Sequence, residues 1–219
     1  MSLKRRIKKI LSPFKRIGLK NKDFTIICNN CFAGHYYDDY NMKYLTPTIG
    51  LVIPPKSYIK FISNMRYYLD LELKEVKSSD LECYDMLKRK DPKSLLKPLD
   101  SLVCGKLDDV EIIFLHYKSF EDANAKWERR KLRINYNNIL YKFNDQNELE
   151  DNEYDAFMNI KLDNKLFITS NVKYKDGKNT YFVKKYENLG YVLDDLHTNL
   201  NFKKLINNIK RGYCRWKML

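Results

Sequence analysis

The sequence predicts an α/β protein, a mainly parallel, Rossmann-like sheet with flanking helices. Short apolar runs alternate with stretches of helical period, the pattern of strands joined by crossover helices. Several of the apolar runs end abruptly in polar side chains, as strands do where an open sheet presents its carboxyl ends to a ligand. No repeat, low-complexity block or Gly/Ser linker divides the chain. Residues 23–219 are therefore expected to form one α/β domain behind a basic tail at residues 1–22, with enough chain to bury a sizeable core without disulfides or metals.

In chain order, the tail comes first. In MSLKRRIKKILSPFKRIGLKNKD, Leu3, Ile7, Ile10, Leu11 and Phe14 fall at helical spacing among lysines and arginines. This basic amphipathic pattern reads either as a solvated tail or as a helix lying on an anionic membrane surface. It is too short and too charged to span a bilayer, and it lacks the apolar core and cleavage site of a signal peptide. Strands are predicted at 24–28, 48–53, 110–116, 139–143, 165–169 and 180–186. Helices are predicted at 56–71, where Ile59, Ile62, Met65 and Leu69 share a face behind Pro54 and Pro55, and at 119–134, about 147–159 and 201–211. The charged stretch 74–97 gives weaker periodicity, with a helix at 80–89 followed by a loop. Ser119 with Asp122 three residues later fits a capping box with Asp in place of Glu. On the helical wheel Phe120, Ala123, Trp127 and Ile134 form the buried stripe, with Arg130 on its flank and Arg129 almost opposite.

The net charge of +13 invites a nucleic-acid reading. Residues 1–22, however, hold nine Lys or Arg and no acid, and residues 200–219 hold six more, again with no acid. The 26 basic residues left at 23–199 face all 28 acids, a balance of −2. Such a body has no surplus charge for tracking phosphates, so no nucleic-acid partner is expected. The five cysteines, Cys28, Cys31, Cys83, Cys104 and Cys214, are odd in number and lack framework spacing, which fits a reducing cytoplasm.

The segment from Phe24 to Pro55 carries most of the functional signal. Its apolar run FTIIC breaks into Asn29, Asn30, Cys31, Gly34 and His35. Three other runs end similarly, at His116-Tyr117-Lys118, at Asn144-Asp145-Gln146 and at Ser170-Asn171. If the strands are parallel neighbours these ends share one rim, although turns favour Asn, Asp and Ser on their own account. Candidate catalytic residues are His116, as an acid or base near neutral pH, Cys31, as a nucleophile with His35 or His116 as its base, and Asp145 past the 139–143 strand. Candidate binding residues are Asn29 and Asn30 through their amides, with Gly34, His35, Tyr117 and Arg130. A partly buried Arg130 must meet an anion, either a structural carboxylate or a ligand phosphate or carboxylate. Cys28 and Cys31 form a C-x-x-C, but Cys28 ends an apolar run and is expected to point into the sheet rather than act as a redox thiol. Three histidines without paired-ligand spacing, and no D-x-D after a strand, argue against a metal site. No G-x-G-x-x-G, P-loop or G-x-S-x-G names a cofactor, which stays unknown.

The blocks FTIICNNCFAG, TPTIGLVIPP and GKLDDVEIIFLHYKSFEDANAKWERRKLRIN, in that order, resemble the bacterial family described as domain of unknown function 1919, over roughly residues 23–210. They match its Asn-Asn-Cys turn, its Ser/Thr-Pro-Thr-x-Gly-Leu segment, its Phe-Leu-His-Tyr strand end and its Trp-Glu-Arg-Arg helix. Asn29, Asn30, Cys31, Gly34, His116, Tyr117, Trp127, Arg129 and Arg130 occupy motif positions. The chain departs at Phe32, where Trp is common, at Cys28, often Ser, and at Ser170, often His. The last departure argues against a three-histidine site. Family members are often named as exopolysaccharide or capsule biosynthesis proteins. The resemblance implies a cell-surface carbohydrate pathway, and the leading expectation is a cytoplasmic transferase acting on a phosphorylated or nucleotide-linked sugar, at the inner face of the membrane if residues 1–22 bind lipid. The rival expectation is a non-catalytic carbohydrate-binding or scaffolding protein, using Tyr36, Tyr37 and Tyr117 to stack on sugars.

Overall fold

Strands form where β-branched and aromatic residues run together, and the computed structural model, which describes residues 3–90, 95–196 and 198–210, contains seven among those residues. They are β1 (Thr25–Cys28), β2 (Lys74–Val76), β3 (Val103–Leu107), β4 (Val110–Phe114), β5 (Ile139–Asn144), β6 (Lys165–Thr169) and β7 (Thr180–Phe182). The helices are α1 (Leu3–Arg16), α2 (Phe32–Asp39), α3 (Pro55–Ser63), α4 (Met65–Asp70), α5 (Tyr84–Arg89), α6 (Phe120–Lys131), α7 (Asp151–Asn159) and α8 (Phe202–Asn207). A four-stranded parallel sheet runs in the order β1-β5-β6-β7, with Cys28 beside Lys142 and Asn144 beside Ile168. A smaller antiparallel sheet, β2-β3-β4, stands beyond β1.

Helices cover both faces of the parallel sheet, which is why its strands read as nearly continuous apolar runs. Ile27, Phe143 and Phe167 pack under α3, α6 and α7 through Tyr58, Phe61, Trp127 and Phe157. Ile26, Cys28, Leu140 and Ile168 pack on the other side under α2 and α8 through Phe32, Tyr37, Phe202 and Ile206. Side chains alternate along β5, so Lys142 and Asn144 share the α2 face with Leu140. A third cluster joins α5 to β3 and β4 through Met86, Leu87, Cys104 and Ile113.

Several expectations need correction. The run 48–53 is not a strand. Gly50 is left-handed (φ 67°), and only Val52 pairs, with Ile113 of β4, while the Ile53 amide donates to the Asn29 carbonyl (3.0 Å). This segment stitches the two sheets together. The 110–116 strand belongs to the antiparallel sheet and stops at Phe114, and the 180–186 strand gives way at Phe182 to a 3₁₀ segment, Lys184–Leu189. The 56–71 helix splits at Asn64, whose φ of −138° is not helical. Helix α8 ends at Asn207, and residue 211 of the predicted span lies outside the described residues. The tail boundary at 22 also shifts. Leu19 is buried in the core, and Asn21 exchanges side-chain hydrogen bonds with Asn138 (3.0 and 2.8 Å).

Candidate functional site

Beyond Cys28 the chain turns at the carboxyl edge of the parallel sheet and starts α2. The side-chain oxygen of Asn30 accepts the Phe32 N–H (3.1 Å), satisfying one of the free amides of that helix end. The same oxygen accepts from Nζ of Lys142 (3.1 Å), a lysine wholly buried in β5. Lys142 is ion-paired with Asp195, and Oδ2 of Asp195 also accepts from Nδ2 of Asn30 (2.9 Å) and Nδ2 of Asn144 (2.8 Å). Asn144 Oδ1 in turn accepts from Asn29 Nδ2 (3.0 Å). A buried ammonium is tolerated only when paired and hydrogen-bonded, and this network meets both conditions.

Asn30 and Asp195 also line a cavity of about 330 Å³. Cys31, Gln146 and Asn147 add polar groups, while Val52, Ile113 and Leu115 form an apolar wall on the antiparallel side. Leu87, Lys90 and Leu95 close it from the α5 side, and Leu193 to Leu196 close it from the last long loop. His116 stands exposed at its edge, and its ring makes no hydrogen bond among the described residues. Partial desolvation holds its pKa below the ordinary value, so the imidazole is neutral at pH 7. Its backbone is fixed by the Gly50 carbonyl, which accepts the His116 N–H (3.1 Å); a Cβ on Gly50 would lie 3.1 Å from the His116 Cβ. Among the described residues no group of three or more His, Cys, Asp or Glu is placed to hold a metal ion.

Of the residues singled out from sequence, Asn30, Cys31 and His116 line this cavity. The Cys31 thiol is pushed up to about 12, mainly by burial and also by the Cys28 and Asp195 charges, so it is a protonated thiol rather than a thiolate. Cys28 is buried, donates to the Asn30 carbonyl (3.0 Å) and has its pKa raised by burial, which leaves no reactive C-x-x-C pair. Asn29 lies behind the lining as a link between β1 and β5. Gly34 and His35 are in α2; a Cβ on Gly34 would meet Ile49 at 3.3 Å, and His35 faces Asp39 (3.7 Å), so neither reaches the cavity. Asp145 is also outside the lining. Its carboxylate accepts from Thr169 Oγ1 (2.6 Å), Ser170 N (3.1 Å) and Val192 N (2.8 Å), an anchor that ties the ends of β5 and β6 to the loop after β7, and burial raises its pKa.

Tyr117 and Arg130 form a pair away from the cavity. The Tyr117 hydroxyl donates to the Ile49 carbonyl (2.6 Å) and accepts from Arg130 Nη1 (2.5 Å), and the guanidinium lies 4.9 Å from the Tyr44 ring centroid. The anion expected for buried Arg130 is replaced by aromatic faces and a phenol oxygen. Arg129 is exposed. Tyr36 stacks on Phe202 (3.8 Å between centroids) and Tyr37 on Phe24 (5.6 Å), so neither offers a face to a sugar. Lys142, Asp195, Lys90 and Asn147 were not singled out by sequence reasoning, and Asn144 only as part of the polar break at the end of β5. The one local signal among the other four is a lysine inside the otherwise apolar run ILYKF.

Residues 2–213 match the family described as domain of unknown function (DUF1919). The chain is also similar to an uncharacterized protein of Haemophilus influenzae (strain ATCC 51907 / DSM 11121 / KW20 / Rd), at 25% identity over 199 residues, 90% of this chain and 85% of that protein. With the Asn-Asn-Cys turn and the Phe-Leu-His-Tyr strand end meeting at one cavity, and with nearly the whole length matched, the chain belongs to the DUF1919 family.

Proposed function

We propose that the cavity binds a phosphorylated or nucleotide-linked sugar, in the Rossmann-like manner at the carboxyl ends of the parallel strands, and that the protein is a transferase acting on it. The reading rests on donor capacity left over around the cavity. Lys90 is half-buried, and among the described residues its ammonium meets only the Gln146 carbonyl (3.3 Å) and no carboxylate at salt-bridge distance. Burial lowers its pKa, the Glu148 charge offsets this only in part, and a ligand anion at the cavity would add to that support. Nδ2 of Asn147, buried in the same lining, has no acceptor among the described residues. A phosphate would pair with Lys90, and sugar hydroxyls would engage the Asn30, Gln146 and Asn147 amides against the leucine walls. His116 is the acid–base group, neutral and free at pH 7. The pathway, cell-surface (exo)polysaccharide biosynthesis, is carried by the resemblance alone, and with it goes a cytoplasmic location at the inner face of the membrane.

A thermal-shift series with sugar phosphates and nucleotide sugars tests this. A ligand at about a hundred times its Kd stabilises by about 2.7 kcal/mol, and Lys90→Ala should abolish the shift. No shift with any of these compounds would refute the reading. Two observations favour a non-catalytic carbohydrate-binding or scaffolding protein instead: burial pushes the Cys31 thiol up, away from the thiolate, and Asp145 is consumed by three donors. Equal stabilisation of wild type and His116→Ala, with no sugar turned over by the wild type, would decide for that alternative.

A further inference from the structure

From Ile10 on, helix α1 turns its apolar side chains outward. At about 100° per residue Ile10 and Phe14 fall within one narrow stripe that Ile17 extends in the turn just past the helix, and Ser12 lies nearly opposite. A surface helix ordinarily buries such a stripe. Here Ser12 is wholly buried, and Lys15 on the flank pairs with Asp39 of α2 (2.9 Å), while Ile10, Phe14 and Ile17 are each about two-thirds exposed (68%, 67% and 67%) and Leu11 is 47% exposed. The helix is thus held to the body by its polar side. Its apolar stripe has no partner within the described residues.

We infer that α1 is an in-plane anchor for an anionic lipid bilayer, with Ile10, Leu11, Phe14 and Ile17 entering the acyl boundary and the surrounding lysines and arginines meeting the headgroups. The partner follows from charge taken together with exposure. Residues 1–22 carry nine basic residues and no acid, so a second copy of this helix would be repelled. A nucleic acid would satisfy the charge but leave the apolar stripe in water. An anionic bilayer satisfies both. The inference stands whether or not the cavity binds a sugar. It also orients the molecule, because α2, on which α1 rests, starts directly after Asn30 and Cys31.

The test is co-sedimentation of the full-length protein with phosphatidylglycerol/phosphatidylcholine vesicles and with phosphatidylcholine vesicles alone. Binding should require the anionic lipid and weaken with salt, and Ile10→Ser/Phe14→Ser should reduce it about tenfold or more. Both positions are exposed, so the double variant should keep the wild-type melting temperature. In Phe14→Trp the indole emission should shift to the blue on adding the anionic vesicles. The inference is overturned by no pelleting with anionic vesicles at low salt, by pelleting that the double variant retains in full, or by a wild-type dimer in sedimentation velocity that the double variant dissolves.

Discussion

Lys142 and Asp195 are 53 positions apart, yet they hold one another in the interior with help from Asn30 and Asn144. Removing one member strands a buried charge. Lys142→Met should therefore lower stability by about 3–5 kcal/mol in urea unfolding, and adding Asp195→Leu should recover much of the loss, because a buried ion pair is worth little against an apolar replacement. Unaltered stability in the single variant would show that the pair is not closed in solution. His116 behaves in the opposite sense to an ordinary ion-paired histidine. Its pKa is lowered in the folded protein, so the unfolded chain takes up the proton first as pH falls. Stability should decline through a window beginning near the ordinary histidine value of about 6.5, and His116→Gln should flatten that part of the profile. An NMR titration in which this imidazole titrates above that value would contradict the desolvated setting.

Gly50 takes a backbone conformation that L side chains rarely adopt. Its left-handed backbone turns the Thr48–Ile53 run past His116, and an added Cβ would press on the His116 side chain at 3.1 Å. Gly50→Ala should cost about 1–3 kcal/mol and move the His116 resonances, measurable by melting and by NMR. The same segment shows where sequence reading succeeds and fails. β1, β5 and β6 were legible because both faces are covered, and TIIC, ILYKF and KLFIT are correspondingly apolar. TIGLVI is as apolar, but Gly50 and the flanking prolines Pro47 and Pro54 limit it to one bridge. β3 was missed because Cys104, Gly105 and Lys106 interrupt its run; pairing with β4 across Asp108-Asp109 makes it a strand. In the site, Asn30, Cys31 and His116 announce themselves as polar breaks after strands. Asn29, His35, Tyr117 and Asp145 carry the same polar signal, but each is spent on a neighbour inside the fold, as is Arg130 of α6, while Gly34 packs against Ile49. Asp195 has no local signal, and Lys142 offers only the oddity of a lysine inside the apolar run ILYKF, since the partner that makes each of them buriable lies far away in sequence.

At the scale of the molecule, the described tail is two things joined at Gly18. Of the described side chains up to Arg16, Ser12 is buried against the body and Lys15 pairs with Asp39, a part-exposed contact of small worth. Leu19 and Asn21 are embedded, with Asn21 also donating to the Ile206 carbonyl (3.1 Å). Deleting residues 1–16 should shift the melting temperature little, whereas deleting 1–22 should cost more than about 3 kcal/mol through the lost leucine and the stranded Asn138. Equal melting temperatures for the two truncations would count against this division. The Asp195 carboxylate sets a further condition, one of sequence in time. It joins residues 30, 142 and 144 from the far side of the sheet, so a chain emerging from the ribosome completes all four parallel strands before it can close the cavity. Until then Lys142 waits without its counter-ion, and a chain ending before residue 195 lacks the loop that closes the crevice.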